Sequence, residues 1–126
     1  MGAPATLAPP PSEARVLVVG PCGAGKTTLT LTLHALDIDI RQIAQEHSFV
    51  ADLWHRGTPP DALIFLDASF ETCTARKRFK WLERDYLEQQ RRLAHARAHC
   101  NFYLSTDSLT PLEVRDRVAA FLRGAG

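Results

Sequence analysis

The chain has 126 residues, which is enough for one domain with a single hydrophobic core. Hydrophobic residues make up 45% and charged residues 23%, and the formal net charge is +1, so the composition indicates a soluble globular protein without an overall bias toward nucleic acids or membranes. No stretch approaches the roughly 18 consecutive apolar residues of a membrane span. The 3 cysteines lack metal-ligand spacing and favour free thiols in a reducing cytoplasm.

The first 13 residues differ in composition from the rest of the chain. They contain four of the 8 prolines and no regular apolar pattern, which predicts a disordered leader. They also lack the basic start and the apolar core of a secretory signal. We therefore predict a leader at 1–13, one folded domain at 14–126 and a cytoplasmic location.

The most informative stretch follows the leader. Val16–Val19 is a short β-branched apolar run, typical of a strand buried on both faces of a parallel sheet. The next eight residues, GPCGAGKT at 20–27, match the phosphate-binding pattern G-x-x-x-x-G-K-[ST] between a predicted strand and a predicted helix, which is the context that the pattern requires. The sequence therefore predicts a loop that binds a polyphosphate; the alternative is a glycine-rich turn that keeps the shape without a ligand.

The chemistry of a phosphate-binding loop explains its residue types. Glycines let backbone N–H groups come close to the phosphates, and the following helix adds the positive end of its dipole. Lys26 is expected to reach the β- and γ-phosphates, the Thr27 hydroxyl to ligate Mg²⁺, and Thr28 to lie near the phosphates. The predicted nucleotide-binding residues are Gly20, Pro21, Cys22, Gly23, Ala24, Gly25, Lys26, Thr27 and Thr28.

The segment after the loop is partly ambiguous. Lys26 to about Leu36 is predicted to be a helix, because leucines recur there at helical spacing. Asp37–Ile40 alternates like a short edge strand, whereas the apolar residues from Ile40 to Trp54 recur nearer the helical period, and we favour a helix over about 41–56, interrupted near Ser48. Four polar side chains of that segment either face the phosphates or form a solvated helix face: Arg41, Gln42, Glu46 and His47.

The second half alternates strands and helices. Ala62–Asp67 predicts a second buried strand, and Ser69 is expected to cap a helix from Phe70 to about Phe79. A charged helical stretch follows from about Leu82 to His99, with Leu82, Tyr86, Leu93 and Ala96 expected on its inner side.

The end of the chain repeats the alternation. Asn101–Ser105 predicts a third strand, and Thr110-Pro-Leu-Glu113 is a capping box that opens a final helix. We therefore predict a three-layer α/β fold with a small parallel sheet of three strands, or four if Asp37–Ile40 joins it. The inner face of the final helix is expected to comprise Val114, Val118, Phe121 and Leu122.

Three segments of the second half carry a resemblance to a known family. The run ALIFLDASFETCTARKR at 62–78, the charged stretch after it, and YLSTDSLTPLEVRDRVAAFL at 103–122 resemble the C-terminal half of P-loop nucleoside and nucleotide kinases, such as the adenylate and thymidylate kinases. With the loop, the resemblance covers 14–36 and 62–122. It implies a P-loop NTPase fold, binding of ATP with Mg²⁺, and phosphoryl transfer.

The resemblance also implies roles for basic residues. Arg76 or Arg78 resembles the arginine that leads into the kinase lid and contacts donor phosphates, and Arg84 and Arg91–Arg92 resemble arginines that neutralise the transferred phosphoryl group. Ser105–Ser108 resembles the loop beside the adenine. The alternative for the arginines is a solvated basic helix face that pairs with neighbouring acidic residues.

Asp67, at the end of the second strand, has two interpretations. It either holds Mg²⁺ opposite Thr27, or it is structural and anchors the turn before Ser69, as the kinase resemblance implies. The predicted catalytic residues are Lys26, Arg76 and Arg84, and the predicted metal ligands are Thr27 and Asp67.

One departure from the kinase pattern leaves the function open. Kinases of this class usually carry a phosphate-acceptor segment and a further strand between the first helix and the L-D strand, and only about 25 residues fill that space here. The leading hypothesis is a phosphotransferase for an unknown small-molecule acceptor, with no nucleic acid or membrane partner. The alternatives are a nucleotide-binding regulatory module without transfer activity, and an NTP hydrolase in which Glu46 and His47 are the candidates for positioning water.

Overall fold

The computed structural model describes residues 14–78 and 80–124; the predicted leader at 1–13 lies outside them. In the described part the architecture is α/β, with a four-stranded, all-parallel sheet and five helices. The strands are β1 (Val16–Val19), β2 (Arg41–Gln42), β3 (Ala62–Asp67) and β4 (Phe102–Ser105), in the order β2-β1-β3-β4. The helices are α1 (Lys26–His34), α2 (Phe70–Lys77), α3 (Glu83–Arg92), α4 (Ala94–His99) and α5 (Pro111–Leu122). Within these ranges no helix has both the length and the apolar character needed to cross a membrane.

The two central strands divide the core into two layers. Successive side chains of a strand point to opposite faces of its sheet. Val16, Val18, Ile64 and Leu66 pack on the face that is covered by α1, α2 and α5. The opposite face buries the alternate residues of the same strands beneath Trp54 and α4. The continuous apolar runs of β1 and β3 are therefore explained by burial on both faces, as the sequence predicts.

The strand predictions at 16–19 and 62–67 are confirmed, and β4 begins one residue later than predicted. The prediction of a helix over about 41–56 is wrong. Arg41 and Gln42 pair with β1 as a short fourth strand, and two 3-10 turns follow, at Gln45–His47 and Leu53–His55.

The buried side chain of Gln45 holds this irregular segment in place. Its amide donates to the Val50 carbonyl at 2.8 Å and accepts from the Trp54 N–H at 3.0 Å. The helical pattern requires Phe49 or Val50 at an inner position, but Phe49 is 88% exposed and Val50 is 39% exposed. The apolar spacing in this segment therefore reflects separate contacts rather than one helix face.

Two helix boundaries also differ from the prediction. Helix α1 ends at His34, because the chain turns through Asp37 in a left-handed conformation, and Leu36 is left on the surface. The predicted helix from 82 to 99 is interrupted at Leu93, whose ψ of −3° departs from helical geometry while its side chain is fully buried against the sheet. Leu82, expected inside, precedes α3 and is 54% exposed.

The parallel sheet gathers three loops at one edge. Because β1, β3 and β4 run in the same direction and are paired in register, their carboxyl ends lie side by side. Gly20–Gly25 leaves β1, Ala68–Ser69 leaves β3, and Thr106–Thr110 leaves β4 at this edge. In open α/β sheets the crevice beyond these strand ends is the usual ligand site.

The start of α5 gives a test of local stability. The Thr110 hydroxyl accepts a hydrogen bond from the Glu113 N–H at 3.2 Å, and the Glu113 carboxylate accepts one from the Thr110 N–H at 2.8 Å. We expect Thr110→Ala to lower the free energy of unfolding by about 0.5 to 2 kcal/mol, because a helix N–H loses its acceptor. Urea unfolding should show this loss, with Ser108→Ala as an exposed control. Equal midpoints for the two variants would contradict it.

Candidate functional site

Two positions of the loop at 20–25 must be glycine because a side chain there would collide with other parts of the protein. Gly23 has φ of +90°, and a Cβ built there would lie 2.9 Å from the Cα and carbonyl oxygen of Cys73 in α2. A Cβ at Gly20 would overlap the Leu66 carbonyl oxygen in β3. The sequence suggested that glycines keep room for phosphates, but at these two positions they let the loop lie against the sheet and α2.

The N-terminus of α1 faces an open pocket. Gly25 is the residue before the helix, in a left-handed conformation with φ of 106°, and no side chain caps the first turn. The first N–H groups of a helix have no partner inside it, and the helix dipole adds positive potential there. Lys26, Thr27 and Thr28 of this turn line the pocket. Such a helix end is suited to bind an anion.

Lys26 lies at the bottom of this site and is 8% exposed. Its ammonium donates to the carbonyl oxygens of Gly20 and Pro21 and to Glu46 Oε2, the last at 2.9 Å. Three acceptors thus surround the cation without a ligand. A bound anion would therefore have to replace Glu46 as a partner of the Lys26 ammonium.

The turn at Gln45–His47 brings the acidic partner to the loop. Glu46 is 4% exposed, and its Oε1 has no hydrogen-bond partner within the described residues. His47 Nε2 lies 3.5 Å from Cys22 Sγ on the more exposed side of the same cluster. The sequence left open whether the polar side chains of this segment face the loop or form a solvated helix face. Gln42, Glu46 and His47 line the loop's pocket, whereas Arg41 lies outside it.

Two adjoining pockets meet at this edge. The loop pocket is lined by Cys22, Gly23, Gly25, Lys26, Thr27, Thr28, Gln42, Glu46, His47, Arg76, Lys77 and Pro111. The apolar pocket is lined by Ala24, Gly25, Thr28, Leu29, Arg76, Thr106, Leu109, Pro111 and Val114. The two share Gly25, Thr28, Arg76 and Pro111, so a single ligand could extend from one into the other.

Arg76 connects the loop to the segment after β4. One nitrogen of its guanidinium donates to the Gly23 carbonyl at 3.1 Å and to the Thr106 hydroxyl at 2.9 Å, and the other donates to the Thr106 carbonyl at 2.6 Å. Thr106 in turn donates to the Ala24 carbonyl at 2.9 Å. Arg76 therefore lies beside both pockets and also fixes the loop.

The other predicted arginines lie away from the pockets. Arg84 is exposed on α3, and it makes no hydrogen bond or ion pair with the described residues. Arg91 pairs with Glu88, as the solvated-face alternative predicts, and Arg92 also pairs with Glu88 while its guanidinium covers the Phe49 ring. The structure thus groups Arg76 with Lys26 but does not group Arg84 with them.

Asp67 does not line either pocket. Its carboxylate accepts from the Ala68 N–H at 3.0 Å, the Gln90 amide at 3.0 Å and the Tyr103 hydroxyl at 2.7 Å, and it pairs with Arg97 at 3.4 Å. Burial, followed by the hydrogen bond to Asp67, raises the pKa of Tyr103 to about 12. These contacts match the structural interpretation of Asp67, which anchors the turn after β3.

Gln89 was missed by the sequence analysis. It lies on α3, is 8% exposed, accepts from the Cys22 N–H at 3.0 Å and donates to Cys22 Sγ at 3.3 Å. The Tyr86 hydroxyl anchors the same helix by donating to the Ala68 carbonyl at 2.7 Å. A glutamine in a helix of mostly charged and polar residues gives no signal by itself, since only the fold brings residue 89 next to residue 22.

The contacts of Asp67 predict the behaviour of a conservative variant. Asp67→Asn should lower the free energy of unfolding by about 1 to 3 kcal/mol, because an amide cannot accept all the hydrogen bonds and carries no charge for Arg97. Any Mg²⁺ dependence of nucleotide binding should stay unchanged, because Asp67 lies outside both pockets. Thermal melting and a Mg²⁺ titration at fixed nucleotide measure the two effects, with the exposed Asp37→Asn as control. A selective loss of Mg²⁺ dependence at unchanged stability would support the metal interpretation instead.

No protein-family model matches this chain, and no curated protein matches it. The motif at 20–27 and the geometry around it are the features that bear on function. That geometry comprises the buried Lys26, the open N-terminus of α1 and the two adjoining pockets.

Proposed function

We propose that this chain is a P-loop NTPase-fold protein that binds a nucleoside triphosphate with Mg²⁺ and acts as a small phosphotransferase of the nucleotide-kinase type. The observation that carries the proposal is the position of Lys26, whose buried ammonium lies beside the free N-terminus of α1 within the loop pocket. A cation and unpaired N–H groups at one point are what a polyphosphate needs.

The two pockets suggest how the nucleotide lies. Its phosphates fit the loop pocket, where Lys26, Arg76 and Lys77 supply positive charge. Its base fits the apolar pocket, where Leu29, Leu109 and Val114 offer apolar contacts. This arrangement agrees with the resemblance, in which the segment at 105–108 lies beside the adenine, because Thr106 lines the apolar pocket.

The residues of the loop pocket also fit Mg²⁺, which prefers oxygen ligands. The Thr27 hydroxyl is exposed on the pocket wall, where it accepts a hydrogen bond from the Gln42 amide at 3.1 Å. Glu46 is the acidic residue of the described chain that lines the same pocket, and its Oε1 is unpartnered. We therefore assign the carboxylate beside the metal to Glu46 rather than Asp67. When bound, Mg²⁺ would neutralise charge on the phosphate oxygens.

Phosphoryl transfer is favoured by cations placed around the transferred group. Lys26 and Arg76 are those cations in this site, and Lys77 lines the same pocket beside them. Arg84 is too peripheral in this arrangement for a direct role and is replaced in our proposal by Lys77.

Hydrolysis is the second candidate, and one observation favours it. The Glu46 carboxylate is buried beside Lys26, and one of its oxygens has no partner within the described residues. A carboxylate of this kind can accept a proton from, and orient, an attacking water. Glu46 would then act as the general base, with His47 at the open side of the pocket.

Lys26 provides the direct test of binding. Lys26→Met keeps the apolar stem but removes the ammonium, and it should weaken ATP or GTP binding by about 1.5 to 3 kcal/mol, the usual cost of losing a charged hydrogen bond. The double variant Lys26→Met, Glu46→Gln avoids leaving a buried carboxylate unpaired. Calorimetry measures the affinity, melting curves report folding, and the exposed Lys80→Met is the control. Equal affinity of all four proteins for nucleotide would refute the proposal.

The fate of the γ-phosphate separates the candidate activities. In single-turnover reactions with labelled ATP and GTP, a phosphotransferase forms a labelled product only when a pool of nucleosides, nucleotides and small alcohols is added. A hydrolase releases phosphate without the pool, and Glu46→Gln should slow that release by about 100-fold. Tight binding with neither reaction would instead support a regulatory module.

A further inference from the structure

Three side chains with metal-binding atoms converge on one wall of the loop pocket. Cys22 Sγ lies 3.5 Å from His47 Nε2 and 4.0 Å from Glu46 Oε2, and His47 Nε2 lies 3.8 Å from the same Glu46 oxygen. These residues come from two separate segments, the loop after β1 and the turn at Gln45–His47. Phosphate binding does not require a thiol or an imidazole at this place.

The size of this triangle matches a metal ion. Its three corners are all about 2.2 Å from its centre, close to zinc–ligand distances of about 2.0 to 2.3 Å for nitrogen, oxygen and sulfur. Thiolate and imidazole are ligands that select Zn²⁺ over Mg²⁺, which prefers oxygen. A fourth ligand would draw the ion slightly out of the plane of the triangle, so the three atoms lie close to the positions that zinc ligands take.

A second observation supports a ligand at this point. Glu46 is 4% exposed, and its two carboxylate oxygens differ. Oε2, the corner of the triangle, also accepts from the Lys26 ammonium at 2.9 Å, whereas Oε1 has no partner within the described residues. A buried carboxylate oxygen without a partner is costly, and a cation held by both oxygens of Glu46 would remove that cost. The Gln89 side chain accepts a hydrogen bond from the Cys22 N–H and donates one to Cys22 Sγ. Metal ligands are commonly oriented by such hydrogen bonds from neighbouring residues.

We propose that Cys22, Glu46 and His47 form a three-ligand site for Zn²⁺ in the wall of the loop pocket. The fourth position faces the pocket and takes a water molecule, as in zinc sites with three protein ligands. Binding replaces the thiol proton of Cys22 by the metal, and that proton is released to solvent. The exposed side of His47 leaves a path for the ion. The site needs no nucleotide and goes beyond the proposed function.

The test uses the reduced full-length chain without nucleotide. Co²⁺ titration reports the ligands, because a cobalt–thiolate bond gives a charge-transfer absorption and tetrahedral coordination gives strong visible bands. Zn²⁺ affinity is then measured by competition with a chromophoric chelator. We expect one equivalent to bind with these signals. Cys22→Ser should abolish the charge-transfer band, and Cys22→Ser and His47→Gln should each lower Zn²⁺ affinity by about 100-fold or more.

Two control variants address other ligands in the chain. Cys100→Ser removes a thiol outside the cluster, and His99→Gln removes one ring of the stacked pair formed with His95. Both should retain the cobalt spectrum and the Zn²⁺ affinity, and melting curves should show that all four variants are folded. The proposal is overturned if the wild-type chain gives no charge-transfer band, or if that band survives Cys22→Ser.

Discussion

The ion pair between Lys26 and Glu46 is the contact on which the site depends. Both side chains are nearly excluded from water, at 8% and 4% exposure. Breaking a buried pair by removing one partner costs about 3 to 5 kcal/mol, because the other charge is left uncompensated. The pair therefore holds the turn at Gln45–His47 onto the loop, and through that turn it fixes the irregular segment between β2 and β3.

Under the proposed function, Glu46 of this pair competes with the phosphate for Lys26. In the structure Glu46 neutralises the ammonium that a phosphate would bind, so a nucleotide has to offer Lys26 a better partner and leave Glu46 with another cation. Two cations could replace Lys26 as the partner of Glu46. Mg²⁺ would use oxygen ligands, and Zn²⁺ would use Cys22 and His47 as well. Glu46 is shared by all these interactions.

Helix α3 contacts the loop, β3 and the turn that carries Glu46. Gln89 contacts Cys22, Gln90 contacts Asp67 and Arg92 reaches the Glu46 carbonyl at 3.5 Å, so one helix touches the loop, the end of β3 and the turn that carries the acid. The kinase resemblance implies a mobile lid in this region. Whatever its role, a movement of α3 would alter the contacts of Cys22 and of the Glu46 carbonyl together.

Local patterns in the sequence were sufficient for the strands at Val16–Val19 and Ala62–Asp67, the start of α1 at Lys26 and the capping box at Thr110, because each depends on neighbouring residues or on burial of a continuous run. They could not locate Glu46, His47 and Gln89 against the loop, or separate Asp67 from the pocket. Those placements depend on contacts between residues 20 or more positions apart, such as Lys26–Glu46 and Cys22–Gln89. Only the parallel pairing of the strands, which brings their carboxyl ends to one edge, decides them.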